Sequence, residues 1–247
     1  MPSFAQSIST ALQLLGSADP VLWRVVARSL AVSGLACVIA CVVGVVLGAW
    51  LAVASFPGRG ALLALVNTLL AVPSVVVGLV VFLLLSRSGP LGFLGWLFSF
   101  QAMVLAQSVL VLPVVVALTR QVVDDAQQAH GEQLQSLGAR SALRAALLAW
   151  DERYALLTVV LAAFGRAVSE VGAVMVVGGN IEGFTRVMTT AIALETSKGD
   201  LPLALALGLV LLAVVLLLNV AIALLRRWRE RVEGDAPMPQ GDAVLRA

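Results

Sequence analysis

The sequence predicts an all-α integral membrane protein, and three observations support that prediction. First, 60% of the residues are hydrophobic and 12% are charged, with a mean hydropathy of +1.01, whereas soluble domains carry about 25% charged residues. Second, five apolar stretches are each long enough to cross the roughly 30 Å hydrocarbon core of a bilayer. Third, these stretches exceed the length of a barrel strand and lack its alternation of polar and apolar residues. The expected fold is five transmembrane helices, an N-terminal amphipathic helix and one helical cytoplasmic segment, with the lipid bilayer as solvent.

An amphipathic helix is predicted before the first span, within an N-terminal segment that covers residues 1–24. The apolar residues that recur there at helical spacing are Phe4, Ile8, Leu12 and Leu15. Polar residues fill the positions between them, which is typical of a helix at a membrane surface. Gly16, Asp19 and Pro20 are expected to end this helix.

The transmembrane domain is predicted over residues 25–226. Its apolar stretches are 28–54, 61–85, 94–118, 155–178 and 201–225. Turn-forming residues separate the first stretch from the second at 56–60 and the second from the third at 86–90. Pro73 and Pro113 lie inside apolar stretches, where they are expected to kink helices without ending them.

Basic residues near the span ends predict the orientation. Five spans place the two termini on opposite sides of the membrane. With the polar tail 227–247 in the cytoplasm, ten basic residues lie on that side and five lie outside, as the positive-inside rule favours. Arg24 and Arg28 oppose the rule because they lie at the outer end of the first span. We therefore expect a multi-pass protein of the bacterial inner membrane, with the N-terminus outside and the C-terminus in the cytoplasm.

The composition also argues against several functions. A net charge of +2 without a basic face gives no footprint for nucleic acid. His130 is the only histidine, so a multi-histidine metal site is excluded, and Cys37 and Cys41 are expected to act as small packing residues. No glycine-rich phosphate loop precedes Lys198, the only lysine. The chain is therefore interpreted as a non-enzyme without a cofactor, and any ATP and Mg would bind a partner chain.

The longest polar interruption, residues 119–154, is cytoplasmic in the predicted orientation. Apolar residues recur at helical spacing within it, at Leu134, Leu137, Ala142, Leu143, Ala146 and Leu147. Charged residues fill the gaps between them, so the segment is expected to be helical and to dock a partner.

A short motif inside this segment has a recognisable spacing. Glu132 is followed after five residues by Gly138, and after nine more by Leu148. The spacing resembles the coupling-loop signature of permease subunits of bacterial ABC importers, whose loop docks into a groove of the ATPase subunit. The sequence departs from that signature at Gln133-Leu134 and Trp150-Asp151. The glycine would allow either a positive φ or a close backbone approach where the docking helix bends.

That resemblance implies a set of coupling residues, and these are Glu132, Leu137, Gly138, Ala139 and Arg140.

Arg166 and Glu170 form a second motif. They are four residues apart inside the fourth apolar stretch, so they lie on one helical face and can pair. An unpaired charge at that depth costs about 2.5–3.5 kcal/mol. Two interpretations stay open: the pair locks helix packing, or it lines the translocation pathway or its gate.

The segments 164–181 and 185–200 resemble permeases for tungstate, molybdate and sulfate, and especially the tungstate type. The likeness extends over about residues 28–218. It implies a pair of permease chains, two ATP-binding subunits on the cytoplasmic side and an extracytoplasmic oxyanion-binding protein. Gly44 and Gly48 in the first span provide either contact with the second copy or packing within one copy.

The expected function is import of a small oxyanion, with tungstate as the first candidate and molybdate or sulfate as alternatives. The uncharged polar residues expected to line the pathway are Asn67, Ser74, Thr189 and Thr190. Such a pathway binds its cargo weakly, as conduction requires. A secondary transporter is a less favoured alternative, because Glu170 is the only deep carboxylate and Arg166 neighbours it. An intramembrane enzyme is disfavoured because no nucleophile-and-base pair or metal set is present.

Overall fold

The computed structural model describes residues 4–17 and 19–234, and all regular structure there is helical. The helices are α1 (Phe4–Gly16), α2 (Pro20–Val53), α3 (Arg59–Ala71), α4 (Ser74–Leu85), α5 (Phe100–Ser136), α6 (Ser141–Asp151), α7 (Arg153–Val168), α8 (Gly172–Gly178), α9 (Met188–Lys198) and α10 (Leu201–Gly234), with one 3-10 turn at Gly92–Leu94. The all-α prediction is confirmed. Residues 235–247 of the predicted tail 227–247 lie outside the described residues, and residues 227–234 continue α10.

Three helices, α2, α5 and α10, are each long and apolar enough to cross a membrane. Two helix pairs, α3 with α4 and α7 with α8, are long and apolar enough when taken together, and they bend by 102° and 57° at short breaks. Each pair is either a broken span or a re-entrant segment. The predicted five spans are therefore present when each bent pair counts as one. The breaks fall inside two of the predicted stretches, at residues 72–73 of 61–85 and at residues 169–171 of 155–178.

The two prolines behave differently. Pro73 ends α3, contrary to the prediction of a kink, and α4 begins directly after it. Val72 before it has ψ 128°, the extended conformation that a following proline imposes. Pro113 stays inside α5 as predicted. It is buried among neighbouring helices, which can hold a helix together where one backbone hydrogen bond is missing.

Helix α2 packs along α5 from one end of the bundle to the other. Val32 and Ala36 belong to the core cluster at one end. Cys37 and Ala40 belong to the cluster in the middle, and Ala49 belongs to the cluster at the opposite end. The close approach depends on glycines in α2. A Cβ on Gly44 would lie 2.8 Å from Val115 Cγ1, and one on Gly48 would lie 2.7 Å from the Val116 carbonyl oxygen. Both glycines therefore pack within one chain, the second of the two alternatives.

The N-terminal helix ends at Gly16 as predicted, but Asp19 and Pro20 begin the next helix. The Asp19 carboxylate accepts hydrogen bonds from the amides of Val21 and Leu22 at 2.7 and 3.1 Å, and proline suits the first helical position. Helix α2 therefore runs across the predicted segment boundary at residue 24. Ala11 of α1 is buried in a core shared with α2, α9 and α10.

Candidate functional site

The break between α7 and α8 places a carboxylate inside the bundle. Glu170 lies between the two helices, and its side chain is 5% exposed. Its Oε2 is 2.8 Å from Arg166 Nη1, and its Oε1 accepts a hydrogen bond from the Ala173 amide at 3.2 Å. One carboxylate thus neutralises a cation and caps the first turn of α8, where backbone amides lack helical partners.

Arg166 is placed differently from Glu170. Its side chain is 47% exposed, so about half of the side chain is uncovered in the single chain. The sequence predicted two residues on one continuous helix, but the helix ends at Val168 and the pair spans the break. The pairing survives because Glu170 folds back from the break toward the last turn of α7.

Two more polar side chains support this break. Gln107 of α5 donates from Nε2 to the Ala167 carbonyl at 3.0 Å, and Thr189 donates from Oγ1 to the Glu170 carbonyl at 2.7 Å. Carbonyls at a helix end have no partner in their own helix and need such donors when they are buried. Sequence reasoning missed Gln107. The available signal was a buried amide in an apolar stretch, which is costly unless it is hydrogen-bonded.

The two helix breaks adjoin each other. A Cβ on Gly172, at the start of α8, would lie 2.8 Å from Ser74 Oγ at the start of α4. Further along, a Cβ on Gly78 would lie 2.7 Å from Ala173 Cα. The half-helices α4 and α8 therefore begin side by side and run in the same direction. Irregular backbone at membrane depth is tolerated where protein surrounds it, and protein surrounds the backbone at Glu170.

The predicted pathway residues separate into two groups. Ser74 and Thr189 lie near Glu170, Thr189 through its hydrogen bond and Ser74 beside the carboxylate. Thr190 is buried and accepts a hydrogen bond from the Val187 amide at 3.2 Å, which caps α9. Asn67 lies exposed on α3, and no hydrogen bond among the described residues joins it to the Glu170 group. The structure thus brings two of the four to the break.

The cytoplasmic segment predicted at 119–154 is a helix, a tight turn and a second helix. Helix α5 continues through the first half to Ser136, and α6 forms the second half. Gly138 has φ +77°, a positive value, which is one of the two alternatives expected for it. Its amide donates to Gln135 O at 2.9 Å, and the Ala139 amide donates to Leu134 O at 3.0 Å. These two bonds form a Schellman motif, which closes a helix with glycine in the left-handed region.

Helix α6 has two apolar faces. Ala145 and Leu148 are buried in a core with residues of α2 and α5. On the opposite side Leu143 and Leu147 are exposed, and Trp150 is 72% exposed. A helix that is apolar on both faces has more apolar surface than its own chain covers.

The turn before α6 adds to this exposed surface. Leu137 is 82% exposed, and Glu132 and Arg140 are exposed on either side of it. The predicted coupling residues therefore lie together at one end of the bundle, around the turn. Exposed apolar residues rimmed by charges are typical of a protein–protein contact.

Comparison with known proteins agrees with this architecture. The chain belongs to the family of binding-protein-dependent transport system inner membrane components, whose model matches residues 44–231. A tungstate uptake system permease protein, TupB of Peptoclostridium acidaminophilum, is 40% identical over 226 residues, covering 90% of this chain and 97% of that relative.

Two further relatives are similar at comparable identity. A probable anion ABC transporter permease protein of Haloferax volcanii is 41% identical, covering 85% of this chain and 91% of the relative. TupB of Campylobacter jejuni is 38% identical, covering 88% and 91%. Sulfate transport system permease proteins match at lower identity, for example 28% for CysT of Synechocystis.

Proposed function

We propose that this chain is the permease subunit of an ATP-driven ABC importer for a small oxyanion, with tungstate as its cargo. The observation that supports this most directly is the exposed apolar surface of the Gly138 turn and α6, which matches a subunit that docks an ATPase. The cargo is inferred from the relatives, two of which are tungstate uptake permeases.

The proposed assembly contains two copies of this chain, two ATP-binding subunits and an extracytoplasmic oxyanion-binding protein. ATP and Mg would bind the ATP-binding subunits. A second copy is supported by α3, which has no buried residue. Together with the outward side of α4 it presents apolar side chains such as Leu69 and Leu79. In the predicted orientation the Gly138 turn faces the cytoplasm, where ATP is available.

The break beside Glu170 is the proposed location of the pathway. Arg166 is the one basic residue deep within a predicted apolar stretch, and its half-exposed side chain can meet an anion. The Glu170 carboxylate partly neutralises it, so the contact is weak. A weak site suits conduction, because cargo that binds tightly leaves slowly.

Co-purification tests the docking step. We expect the tagged chain, expressed with its ATPase partner and extracted in mild detergent, to retain that ATPase. Gly138→Trp should abolish retention, because a bulky residue with φ +77° distorts the turn. The matched control is Gly58→Trp. Gly58 has φ +94° and, like Gly138, open space around its Cβ position, but it belongs to the link between α2 and α3 and not to the Gly138 turn or α6.

Each outcome of that experiment is informative. Equal retention by both variants would contradict the docking proposal, and loss in both would point to misfolding. Uptake assays with tungstate in competition with molybdate and sulfate then identify the cargo. If the purified chain alone moves anions in vesicles without ATP, the importer proposal is wrong and a secondary transporter replaces it.

A further inference from the structure

A second group of charges lies at the end of the bundle opposite the Gly138 turn. Arg24 and Arg28 project from the first turns of α2, and Arg186 lies in the segment between α8 and α9. With Glu182 and Gly183 they line a cavity of about 130 Å³. We call this cavity and the residues that line it the outer arginine pocket. Its volume is several times the roughly 30 Å³ that one water molecule occupies in the liquid.

The pocket is built by contacts between distant parts of the chain. Arg28 donates from Nη2 to the Gly183 carbonyl at 2.7 Å, which fixes the segment between α8 and α9 against α2. Arg24 donates from Nε to Pro20 O, within its own helix, at 3.0 Å. The described residues place no acidic side chain in ion-pair contact with either arginine.

Arg186 is the deepest of the three cations. Its side chain is 15% exposed, and its Nη1 is 3.5 Å from Glu182 and 3.8 Å from Glu195. These separations are long for charge-assisted hydrogen bonds, which are about 2.7–2.9 Å. Its buried Nε has no hydrogen-bond partner among the described residues. Arg186 therefore has donor capacity that its own chain does not use.

The charge balance of the pocket favours an anion. Three guanidinium groups line the pocket with one carboxylate, Glu182, whose side chain is 74% exposed. Glu195, which lies outside the lining, is 3.8 Å from Arg186 Nη1, and its Oε1 is closer to Lys198 Nζ, at 3.1 Å. Arginine presents planar, paired donors that match the oxygens of phosphate-like groups. Arg24 and Arg28 are also the residues that oppose the positive-inside rule, so their position calls for a reason other than topology.

We infer that the outer arginine pocket binds a tetrahedral oxyanion, held between Arg24, Arg28 and Arg186. Two sources share this chemistry: a free oxyanion approaching the permease, and the phosphate of an anionic lipid headgroup. The external location rests on the proposed orientation and function, whereas the binding chemistry rests on the pocket alone. The pocket is separate from the Arg166–Glu170 pair.

The test uses the full chain in phosphatidylcholine nanodiscs, titrated calorimetrically with tungstate and with inorganic phosphate. We expect saturable binding that Arg24→Gln weakens by about tenfold or more, the effect of losing one charge-assisted hydrogen bond. Arg24 is the variant of choice because its only described hydrogen bond stays within its own helix, so the fold should persist. Arg87→Gln is the control, since Arg87 is exposed and lies outside the pocket.

A variant of opposite sign separates binding from stability. Glu182→Gln removes the one negative charge that lines the pocket and releases Arg186 from one of its two ion-pair contacts, leaving the 3.8 Å contact with Glu195. We expect it to strengthen oxyanion binding by several-fold. A general loss of structure would weaken binding in Glu182→Gln as well, and that result would contradict the proposal.

Lipid retention distinguishes the two sources. Nanodiscs with phosphatidylglycerol are prepared, and native mass spectrometry counts the lipids that stay bound. A lipid that is retained by the unmodified chain and by Arg87→Gln, but lost from Arg24→Gln, identifies a headgroup site. Saturable binding of the free anions instead identifies a solute site.

The inference is overturned if Arg24→Gln changes neither the anion titration nor lipid retention. It is also overturned if Arg24→Gln changes only capture of an extracytoplasmic binding protein, since the arginines would then contact a protein. None of these measurements needs ATP or an ATPase. A failure of the binding proposal is therefore distinguishable from a failure of the proposed transport function.

Discussion

At the residue scale, Glu170 shows why a buried charge can be stable inside a membrane bundle. Its two carboxylate oxygens have different partners, Arg166 on one and the Ala173 amide on the other. A buried charge is costly unless it is paired and hydrogen-bonded, and Glu170 is both. The same residue therefore connects the end of α7 to the start of α8 and compensates the charge of Arg166.

Replacement of Glu170 should separate these two roles. Glu170→Gln removes the charge but keeps an oxygen that can accept from the Ala173 amide, whereas Glu170→Ala removes both. We expect Glu170→Ala to lower the free energy of unfolding by about 1 kcal/mol more than Glu170→Gln, the usual value of a helix cap. Thermal unfolding of the purified variants in detergent measures the difference. Identical melting temperatures would show that the cap contributes nothing.

The sequence predicted the pairing of Arg166 with Glu170 but not the geometry around it. Spacing of four residues within an apolar stretch was enough to suggest the pair, because an isolated charge there is expensive. The helix break was not readable, since Ser169 and Val171 are compatible with a helix and no proline marks the site. Gln107 was missed for a related reason. Its partner, the Ala167 carbonyl, lacks a hydrogen-bond donor within α7 only because the helix ends at the break.

At the element scale, α6 has two apolar sides, one buried and one exposed. Leu148 is buried against α2 and α5, whereas its neighbour Leu147 is exposed. The helical spacing in the sequence predicted a helical segment in this region. It could not say which apolar residues face the bundle, because apolar residues occur on both sides.

These two leucines give a matched pair of variants. Leu148→Ala should lower the free energy of unfolding by about 2–5 kcal/mol, as truncation of a buried leucine does. Leu147→Ala should leave the melting temperature nearly unchanged and reduce ATPase retention. Melting curves and co-purification are measured on both. The two-sided interpretation is wrong if Leu147→Ala lowers the melting temperature as much as Leu148→Ala does.

At the scale of the whole molecule, the crossings depend on how the bent pairs are counted. Hydropathy predicted all five apolar stretches, because their length is set by membrane thickness. It could not show that Pro73 ends a helix while Pro113 does not. That difference depends on the neighbours that bury Pro113, which are far away in sequence.

Cysteine accessibility tests the predicted orientation. Cys37 and Cys41 are replaced by alanine, and single cysteines are introduced at Ser197 or Ser136, which are exposed at opposite ends of the bundle. We expect Ser197→Cys to react with a membrane-impermeant thiol reagent applied to intact spheroplasts. Ser136→Cys should react only after the membrane is opened. The reverse pattern would place the outer arginine pocket and the Gly138 turn on the opposite sides from those proposed.

The continuity of α5 has a mechanical consequence. Its 37 residues extend about 55 Å at 1.5 Å per residue, from the turn after Gly92–Leu94 to the Gly138 turn, without an intervening loop. The same rod carries Gln107, which holds the end of α7 at the break. A displacement or rotation of the Gly138 turn is therefore transmitted to the middle of the bundle along one continuous helix. Pro113, which lacks an amide hydrogen, is the point along that rod where it bends most easily.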